Sequence, residues 1–408
     1  MKTTLTIFTL VILNLSLFSQ WQLTAGTGTA YGNTLYCVGD TLYAGTDFGA
    51  YKTTNNGNTW ITINNGFTAP RKVKDFFYAD GKLWCAAENN GLFYSTNGGD
   101  LWTRELSSSI NYPNAVITSG NYIYTHSTGS SRVLFSTNMG ANWTITEQGV
   151  FPHLTLSFAL NGNFIFSGGS DGAYVSFLGA TSWTEISQTP NTGVDEIRYT
   201  NNKLYAACFG TPGGIWSSTN NGTNWININT AITNRQLWSL HVFNYNILVG
   251  TDDGINRAIF FSSNDGTSWT NVSGGLPADL SFSEITSNST YAFGIIYYTG
   301  AVYRRPLSEL IGIQPISTEI PKQFSLSQNY PNPFNPVTNI NFDVKEKGLV
   351  KLAVFNSIGQ EIAVILNQEL SPGSYKADWN AEDYPSGVYY YKITAGDFSE
   401  TKKMILIK

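Results

Sequence analysis

Tryptophan recurs along most of the chain at a nearly constant interval, and this repeat constrains the fold more than any other feature. The copies stand 40 to 44 residues apart, at Trp60, Trp102, Trp143, Trp183, Trp225 and Trp269. Short apolar runs precede each one, as in GKLWCAAENNGLFY (81–94). A period of about 40–45 residues with four short strands per unit is typical of a propeller blade. The repeat therefore predicts an all-β chain whose larger part is a β-propeller.

The residues before each tryptophan form a second, tighter pattern. Five copies read Ser/Thr-x-Asn-x-Gly-x-x-Trp, whereas the copy Ser176–Trp183 has Leu178 and Ala180 in place of the asparagine and the glycine. The asparagine can bond its own backbone two residues on, and the glycine supplies a positive φ. We expect them to close a hairpin between the third and fourth strands, covered by the tryptophan ring. The residues with this structural role are Asn55, Gly57, Trp60, Asn97, Gly99, Trp102, Asn138, Gly140, Trp143, Asn220, Gly222, Trp225, Asn264, Gly266 and Trp269.

This octapeptide resembles the Asp-box (BNR) repeat of sialidases, xyloglucanases, sortilin-like receptors and the photosystem II assembly-factor propellers. Asparagine stands here where that family has aspartate. The resemblance implies propeller blades. It says almost nothing about function, because the box is a turn device found in enzymes and in binding proteins alike.

Two segments without a box complete a seventh blade. The segment from about Leu280 to Arg305 reads as three strands, and Trp21–Gly26 looks like the fourth strand of other blades, such as Trp60–Gly66. Pairing the two segments removes two exposed strand edges. We therefore predict a seven-bladed β-propeller over residues 20–307, with the last blade closed by the N-terminal strand 21–26.

Residues 1–19 have the layout of a secretory signal peptide. Lys2 supplies the positive start, and the apolar run Leu5–Phe18 is shorter than the ~18 residues that a membrane span needs. A membrane anchor is the alternative. We expect cleavage near Ser19-Gln20 and no transmembrane span after signal cleavage.

The composition changes near residue 308. Charged residues make up 20 of the 101 residues from 308 to 408, twice the share in residues 20–307, and all eight arginines precede the boundary. The tail alternates strand-like runs with Gly and Pro turns, which indicates a small antiparallel sandwich. We predict a linker at 308–323 and an Ig-like antiparallel β-sandwich at 324–408.

The tail closely resembles the type A C-terminal sorting domain of the bacterial type IX secretion system. The residues that carry the match are Tyr330, Pro331, Asn332, Pro333, Phe334, Asn335, Pro336, Gly387 and Tyr389. The resemblance implies that residues 324–408 are read by the outer-membrane translocon and removed by a sortase. It also implies a protein that is secreted or attached to the outer membrane at the cell surface. A carbohydrate-binding or Ig-like module is the alternative for this domain.

Charge and cysteine content exclude several classes of partner. The net charge is −5 and no basic tract occurs, so we expect no nucleic-acid binding. Cys37, Cys85 and Cys208 lie in apolar runs and read as buried thiols, although Cys37 and Cys85 fall on neighbouring repeats and could pair. No Cys/His spacing fits a metal site, and we predict neither metal nor cofactor.

Propeller ligands usually sit on the face that carries the blade-to-blade loops and the loops between second and third strands. The ligand-binding candidates at or near the innermost strands are Arg71, Asp75, His153, Asp195, Arg235 and Glu284. The acidic loop positions are Asp47, Glu88, Asp171, Asp252 and Asp253, and an acid beside a glycine is usually a simple turn former.

The pattern favours an exported binding or scaffold protein for a glycan or protein ligand. The alternative is a glycoside hydrolase, sialidase-like or active on β-glucans, which would use carboxylates such as Asp75, Asp195 and Glu284. No arginine stands in the Arg-Ile-Pro context of sialidases, and the chain has room for one propeller where xyloglucanases carry two. An assembly factor is a third possibility, but the sorting tail points outside the cell.

Overall fold

The computed structural model describes most of the chain from residue 20 onward. The described ranges are 20–27, 31–67, 72–88, 91–105, 110, 112–127, 132–146, 155–170, 172–186, 193–209, 213–229, 232, 236–243, 245–252, 257–277, 282–310, 313–317, 319–381 and 384–408. The predicted signal peptide at 1–19 lies outside these residues.

Within the described ranges, the first twenty-eight strands form seven four-stranded antiparallel sheets, which are the blades. The strands are β1 (Gln22–Leu23), β2 (Gly32–Val38), β3 (Thr41–Thr46), β4 (Gly49–Thr53), β5 (Ile61–Thr62), β6 (Lys72–Ala79), β7 (Lys82–Glu88), β8 (Gly91–Ser95), β9 (Thr103–Arg104), β10 (Pro113–Ser119), β11 (Tyr122–Ser127), β12 (Arg132–Ser136), β13 (Thr144–Ile145), β14 (Thr155–Asn161), β15 (Phe164–Gly169), β16 (Gly172–Phe177), β17 (Thr184–Glu185), β18 (Val194–Thr200), β19 (Lys203–Cys208), β20 (Gly214–Ser218), β21 (Ile226–Asn227), β22 (Leu237–Phe243), β23 (Asn246–Asp252), β24 (Arg257–Ser262), β25 (Thr270–Asn271), β26 (Phe282–Ser287), β27 (Tyr291–Ile296) and β28 (Val302–Pro306).

The blades close into a ring. Blades one to six take their strands in chain order, from β2–β5 to β22–β25, and the seventh has the order β26-β27-β28-β1. The first strands of neighbouring blades contact one another all the way round, and β26 returns to β2. These seven strands therefore surround a central channel, and the fold is a seven-bladed β-propeller.

Trp21 joins the two ends of the ring. Its side chain is 3% exposed and meets Phe282 edge-on, with ring centroids 5.1 Å apart. The indole Nε1 donates to the carbonyl of Val272 at 2.9 Å. The equivalent nitrogens of Trp102 and Trp269 donate to Ile63 and Ile228 in the preceding blade, at 2.6 and 2.7 Å. Trp21 thus stands in blade seven where these tryptophans stand in theirs.

The tryptophan ring has a wider role than the sequence suggested. Trp102 lies in one hydrophobic cluster with residues of blades one and two, and it stacks on Phe67 with centroids 4.9 Å apart. It therefore packs between neighbouring blades, a contact that the hairpin motif by itself does not predict. An interblade position explains the constant period, because each ring needs an equivalent surface on the blade before it.

The box turn is held by two side chains. In the second blade the Oγ of Ser95 accepts the N–H of Gly99 at 2.8 Å, and the Oδ1 of Asn97 accepts the N–H of Leu101 at 3.0 Å. The five complete copies repeat both bonds. Each asparagine thus reaches four residues on instead of two. The glycine takes a positive φ in every complete copy, for example +85° at Gly99.

The tail is a β-sandwich. Its strands are β29 (Ile313–Ser317), β30 (Ser325–Leu326), β31 (Val337–Val344), β32 (Gly348–Phe355), β33 (Glu361–Leu370), β34 (Gly373–Asn380), β35 (Gly387–Ala395) and β36 (Phe398–Leu406). One sheet has the order β29-β34-β31-β30 and the other β33-β32-β35-β36. Because β29 pairs with β34, the segment we predicted as a linker already contributes to the sandwich.

The short helix α1 (Leu307–Leu310) connects the two domains. Leu307 and Leu310 are buried in a hydrophobic cluster that also contains residues of blades six and seven and of the sandwich. The propeller and the sandwich therefore share one apolar cluster, to which the helix contributes both leucines.

The sorting motif lies across one end of the sandwich. Phe334 is 2% exposed and packs on Trp379 at 5.5 Å, whereas Tyr330 is 79% exposed. The Oδ1 of Asn332 accepts the N–H of Ile405 at 2.9 Å, which ties the motif to the C-terminal strand. At the second segment of the motif, the hydroxyl of Tyr389 donates to the carbonyl of Pro385 at 2.7 Å. Part of the motif is thus core, and part is presented to solvent.

Candidate functional site

Each innermost strand carries a β-bulge near its start. The register shifts by one residue at this point in all seven blades. A bulge sets two residues against one on the partner strand and re-aims a side chain. The bulge positions, which we call the bulge ring, are Asn33, Lys74, Asn114, Leu156, Asp195, Trp238 and Ser283.

The bulge ring surrounds a cavity of about 190 Å³ at the end of the channel where the inner strands begin, which we call the channel mouth. Six of its members line the cavity: Asn33, Lys74, Asn114, Asp195, Trp238 and Ser283. The next residues inward include Asp75, Ser157, Glu196 and Glu284, and Arg198 lies deeper still. The propeller therefore brings three sequence candidates, Asp75, Asp195 and Glu284, to one cavity.

Several of these polar groups couple one blade to the next. The Oδ2 of Asp75 accepts the N–H of Val116 at 2.9 Å, and the Oε2 of Glu196 accepts that of Leu240 at 2.6 Å. Ser157 accepts an N–H from blade five in the same way. A bulge interrupts the ladder and leaves backbone groups without a strand partner. Asp75 and Glu196 thus have a structural role as acceptors, besides any contact with a ligand.

Arg198 pairs with two carboxylates inside the channel. Its Nη2 contacts the Oε1 of Glu196 and lies 3.0 Å from the Oε1 of Glu284. Burial raises the pKa of both glutamates, and the guanidinium opposes that shift. Burial, together with the charge of Arg198, also lowers the pKa of nearby His241 to about 3, so this imidazole is neutral at physiological pH.

Asp195 differs from the other acids of the channel. Among the described residues, its carboxylate has neither a hydrogen-bond partner nor an ion-pair partner. Burial, and then the charge of Glu196, raise the pKa of Asp195 to about 7. Burial also raises the pKa of Asp75 to about 7, against the effect of its Val116 hydrogen bond. Of the channel acids that the structure describes, Asp195 is therefore the one whose carboxylate is available to a ligand.

The acidic loop positions at the mouth are held by cations. Lys72 lies 3.6 Å from Asp47 and 3.5 Å from Glu88, and Lys74 also lies 3.5 Å from Glu88. Asn33 links this network to the bulge ring, because its side chain bonds both Asp47 and Lys74 at 3.0 Å. In blade six, Asp252 pairs with Arg257 at 2.9 Å. These acids serve local ion pairs and are not a free acidic surface.

The remaining sequence candidates cannot be located. Arg71, His153, Arg235, Asp171 and Asp253 all lie outside the described residues. The three cysteines are free thiols, and Cys85 and Cys208 are fully buried. In the part of the chain that the structure describes, no three His, Cys, Asp or Glu side chains are grouped to hold a metal ion, and no helix is long and apolar enough to cross a membrane.

Sequence reasoning missed Glu196, Arg198 and Trp238. Glu196 and Arg198 are two residues apart on β18, so period-2 alternation puts both on the channel side. That signal was present in the segment VDEIRYT. Trp238 gave no signal, because it lies outside the tryptophan repeat and only the bulge turns it to the mouth.

Comparison with solved structures supports the propeller. YCF48 bound to D1 peptide superposes with a TM-score of 0.56 at 16% identity, over 71% of this chain and 97% of that one. YCF48 from Cyanidioschyzon merolae superposes with a TM-score of 0.55 at 13% identity, over 71% of this chain and 99% of that one. The GH74 enzyme of Niastella koreensis superposes with a TM-score of 0.55 at 15% identity, over 94% of this chain and 67% of that one. At these identities the likeness shows the fold alone.

No curated protein sequence shows a significant match to the chain. A family model does match the tail: residues 328–408 fit the secretion system C-terminal sorting domain. This span covers the second sheet of the sandwich and the whole of the sorting motif. The chain therefore carries a secretion system C-terminal sorting domain, and type IX secretion exports it to the cell surface or beyond.

Proposed function

We propose that this protein is an exported binding module that holds a glycan or protein ligand at the channel mouth of its propeller. The observation that carries the proposal is the bulge ring, in which equivalent positions of successive blades present different side chains to one open cavity. Binding sites are usually concave and combine apolar surface with a few convergent polar groups. The mouth has this mixture, with Trp238 beside Asp195, Asn33 and Ser283.

The export route sets where the ligand is met. We propose that a signal peptide at residues 1–19 leads the chain across the inner membrane, and that residues 324–408 then engage the type IX translocon and a sortase. The box turns act as Asp-box equivalents that hold the blades together. The ligand is accordingly an extracellular or cell-surface molecule.

A glycoside hydrolase is the second candidate. The observation in its favour is that the pKa values of Asp75 and Asp195 lie near 7, which suits a general acid. Against it, Asp75 and Glu196 accept backbone N–H groups of the next blade, and Glu284 is held by Arg198. These bonds leave few carboxylates free for acid and base roles.

A glycan and peptide array probed with the full chain tests the proposal. We expect specific signals that disappear in Trp238→Ala and persist in Phe177→Ala, a matched aromatic control that is 60% exposed at the end of β16. Absence of binding, together with hydrolysis of a sialoside or β-glucan that is lost in Asp195→Asn or Glu284→Gln, would establish the enzyme instead.

A further inference from the structure

Aromatic side chains form a continuous arc at one side of the channel mouth. Trp238 in blade six meets Tyr297 in blade seven at 6.3 Å, and Tyr297 meets Tyr31, beside blade one, at 5.4 Å. Tyr298 packs edge-on against both tyrosines. We call these four residues the aromatic arc. Trp238, Tyr31 and Tyr298 are 38%, 47% and 53% exposed, so the arc is a solvent-facing surface.

The arc adjoins a carboxylate without a partner. Trp238 and Asp195 occupy the bulge positions of neighbouring blades and line the same cavity. The two cations of the lining are already engaged, because Arg198 holds Glu196 and Glu284, and Lys74 contacts Asn33 and Glu88. Among the described residues, no such cation faces Asp195. The described part of the mouth thus combines an unpaired carboxylate with aromatic faces, and this combination attracts cations.

The cavity fixes the size of the group that enters. Its volume is about 190 Å³, whereas a cavity of roughly 150 Å³ holds one benzene molecule. One side chain fits, and a chain of sugar rings does not. We infer that the channel mouth receives a single arginine or lysine side chain of an extracellular peptide, whose charged end lies beside Asp195 and whose flanking residues lie on the aromatic arc. This inference rests on the proposed binding function and specifies its ligand.

The surrounding charges set the pH dependence of such binding. The titratable and charged groups around Asp195 in the channel are Lys74, Asp75, Glu196, Arg198, His241 and Glu284. Because the pKa of Asp195 is raised to about 7, this carboxyl is mostly protonated at pH 6 and mostly ionised at pH 8. Asp75 changes in the same direction, and His241 stays neutral throughout. A cation therefore binds more tightly as the pH rises from 6 to 8.

Titration calorimetry with short capped peptides tests the inference on the full chain. The probes are acetyl-Gly-Arg-Gly-amide, its Lys counterpart and the neutral control acetyl-Gly-Gln-Gly-amide. At pH 8 we expect the Arg peptide to bind about tenfold more tightly than the Gln peptide. Affinity for the Arg peptide should fall about fivefold between pH 8 and pH 6. Asp195→Asn should abolish the preference for Arg and its pH dependence, and Trp238→Ala should weaken both peptides.

Other results overturn the inference and leave the proposed function distinguishable. Equal binding of the Arg and Gln peptides, or a preference for Arg that survives in Asp195→Asn, contradicts a cation beside that carboxylate. If neither basic peptide binds, but a ligand found on the array binds the wild type and not Trp238→Ala, the proposed binding function stands. The inference that the ligand is an arginine or lysine side chain is then wrong. If the folded chain binds nothing on the array and hydrolyses a glycan, both are wrong.

Discussion

The box turns and the bulge ring are both repeated once per blade, yet they treat the repeat in opposite ways. In the box, five blades keep the same serine or threonine, asparagine, glycine and tryptophan, and the same two hydrogen bonds recur in each. In the bulge ring the backbone shift recurs, but the side chain changes from asparagine to lysine, aspartate, tryptophan or serine. A constant side chain marks a position that every blade needs for packing, whereas a varied one marks a position that packing leaves free for a ligand.

The largest expected effect separates two tryptophans that have these different roles. Trp102→Ala should lower the free energy of unfolding by about 3–5 kcal/mol, because a buried ring between two blades is lost. Trp238→Ala should cost less than about 1 kcal/mol, because that ring is 38% exposed. Scanning calorimetry of the propeller transition measures both. Similar losses for the two variants would mean that the bulge ring is as structural as the box.

The second prediction concerns the charges below the bulge ring. Arg198→Met leaves Glu196 and Glu284 without their cation, which should cost about 3–5 kcal/mol at pH 8. Loss of the cation raises the pKa of both carboxyls further, so the folded protein holds protons that the unfolded chain has released. The destabilisation caused by Arg198→Met should therefore shrink as the pH falls towards 5. Lys376→Met, at a surface pair in the tail, is the control, with an effect below about 1 kcal/mol. A loss that does not vary with pH would show that packing, and not charge, is what Arg198 supplies.

The third prediction compares two serines. Ser95 is 2% exposed and its Oγ accepts the N–H of Gly99, so Ser95→Ala leaves that amide unsatisfied and should cost about 1–3 kcal/mol. Ser283 belongs to the bulge ring and donates to the carbonyl of Gly32. Ser283→Ala should cost less than about 1 kcal/mol, since a carbonyl at the open mouth can be hydrated. Thermal unfolding of both variants measures the two losses of stability. A larger loss of stability in Ser283→Ala than in Ser95→Ala would contradict this prediction.

The smallest effect is expected at Asp195. Burial raises the pKa of Asp195 to about 7 in the folded chain, well above the usual range of an aspartate. The folded state therefore holds a proton that the unfolded state has lost, and stability falls as the pH rises from about 4 to 7. Asp195→Asn should remove this fall. The full pKa difference corresponds to about 4 kcal/mol, but the carboxyl is partly exposed and water screens much of the effect, so we expect a stabilisation on the order of 1 kcal/mol at pH 8. Unfolding curves at pH 5 and pH 8 measure it, and a destabilised variant at pH 8 would mean that Asp195 has a favourable partner.

The fold could be read from the sequence because its signals are local. The tryptophan period sets the blades, the box sets one turn in each, and Trp21 had a visible counterpart in Trp60. The first residues of the sandwich were missed, since Ile313–Ser317 pairs only with the distant β34 and has no turn signal of its own. The motif predicts that each asparagine accepts the N–H two residues on, but in the structure it accepts the N–H four residues on. The sequence does not reveal that the serine or threonine hydroxyl already accepts the nearer N–H, that of the glycine.

The site could be read only in part. Asp75, Asp195 and Glu284 were recognisable as acids at the starts of inner strands, and they do line one cavity. Which of them is free depends on bonds between blades: Val116 to Asp75, and Arg198 to Glu284. Such contacts join residues about 40 or more positions apart, and no pattern in a single sequence encodes them.

The central claim is that the varied ring is the binding site and the constant box is not. The double variant Asp195→Asn/Trp238→Asn gives blades five and six the residue that blades one and three already carry. The most direct measurement is the glycan and peptide array profile of this full-length variant beside that of the wild type, with the melting temperature of each. We predict a melting temperature within a few degrees of wild type and loss of the specific signals. An unchanged profile from the folded variant would contradict the claim.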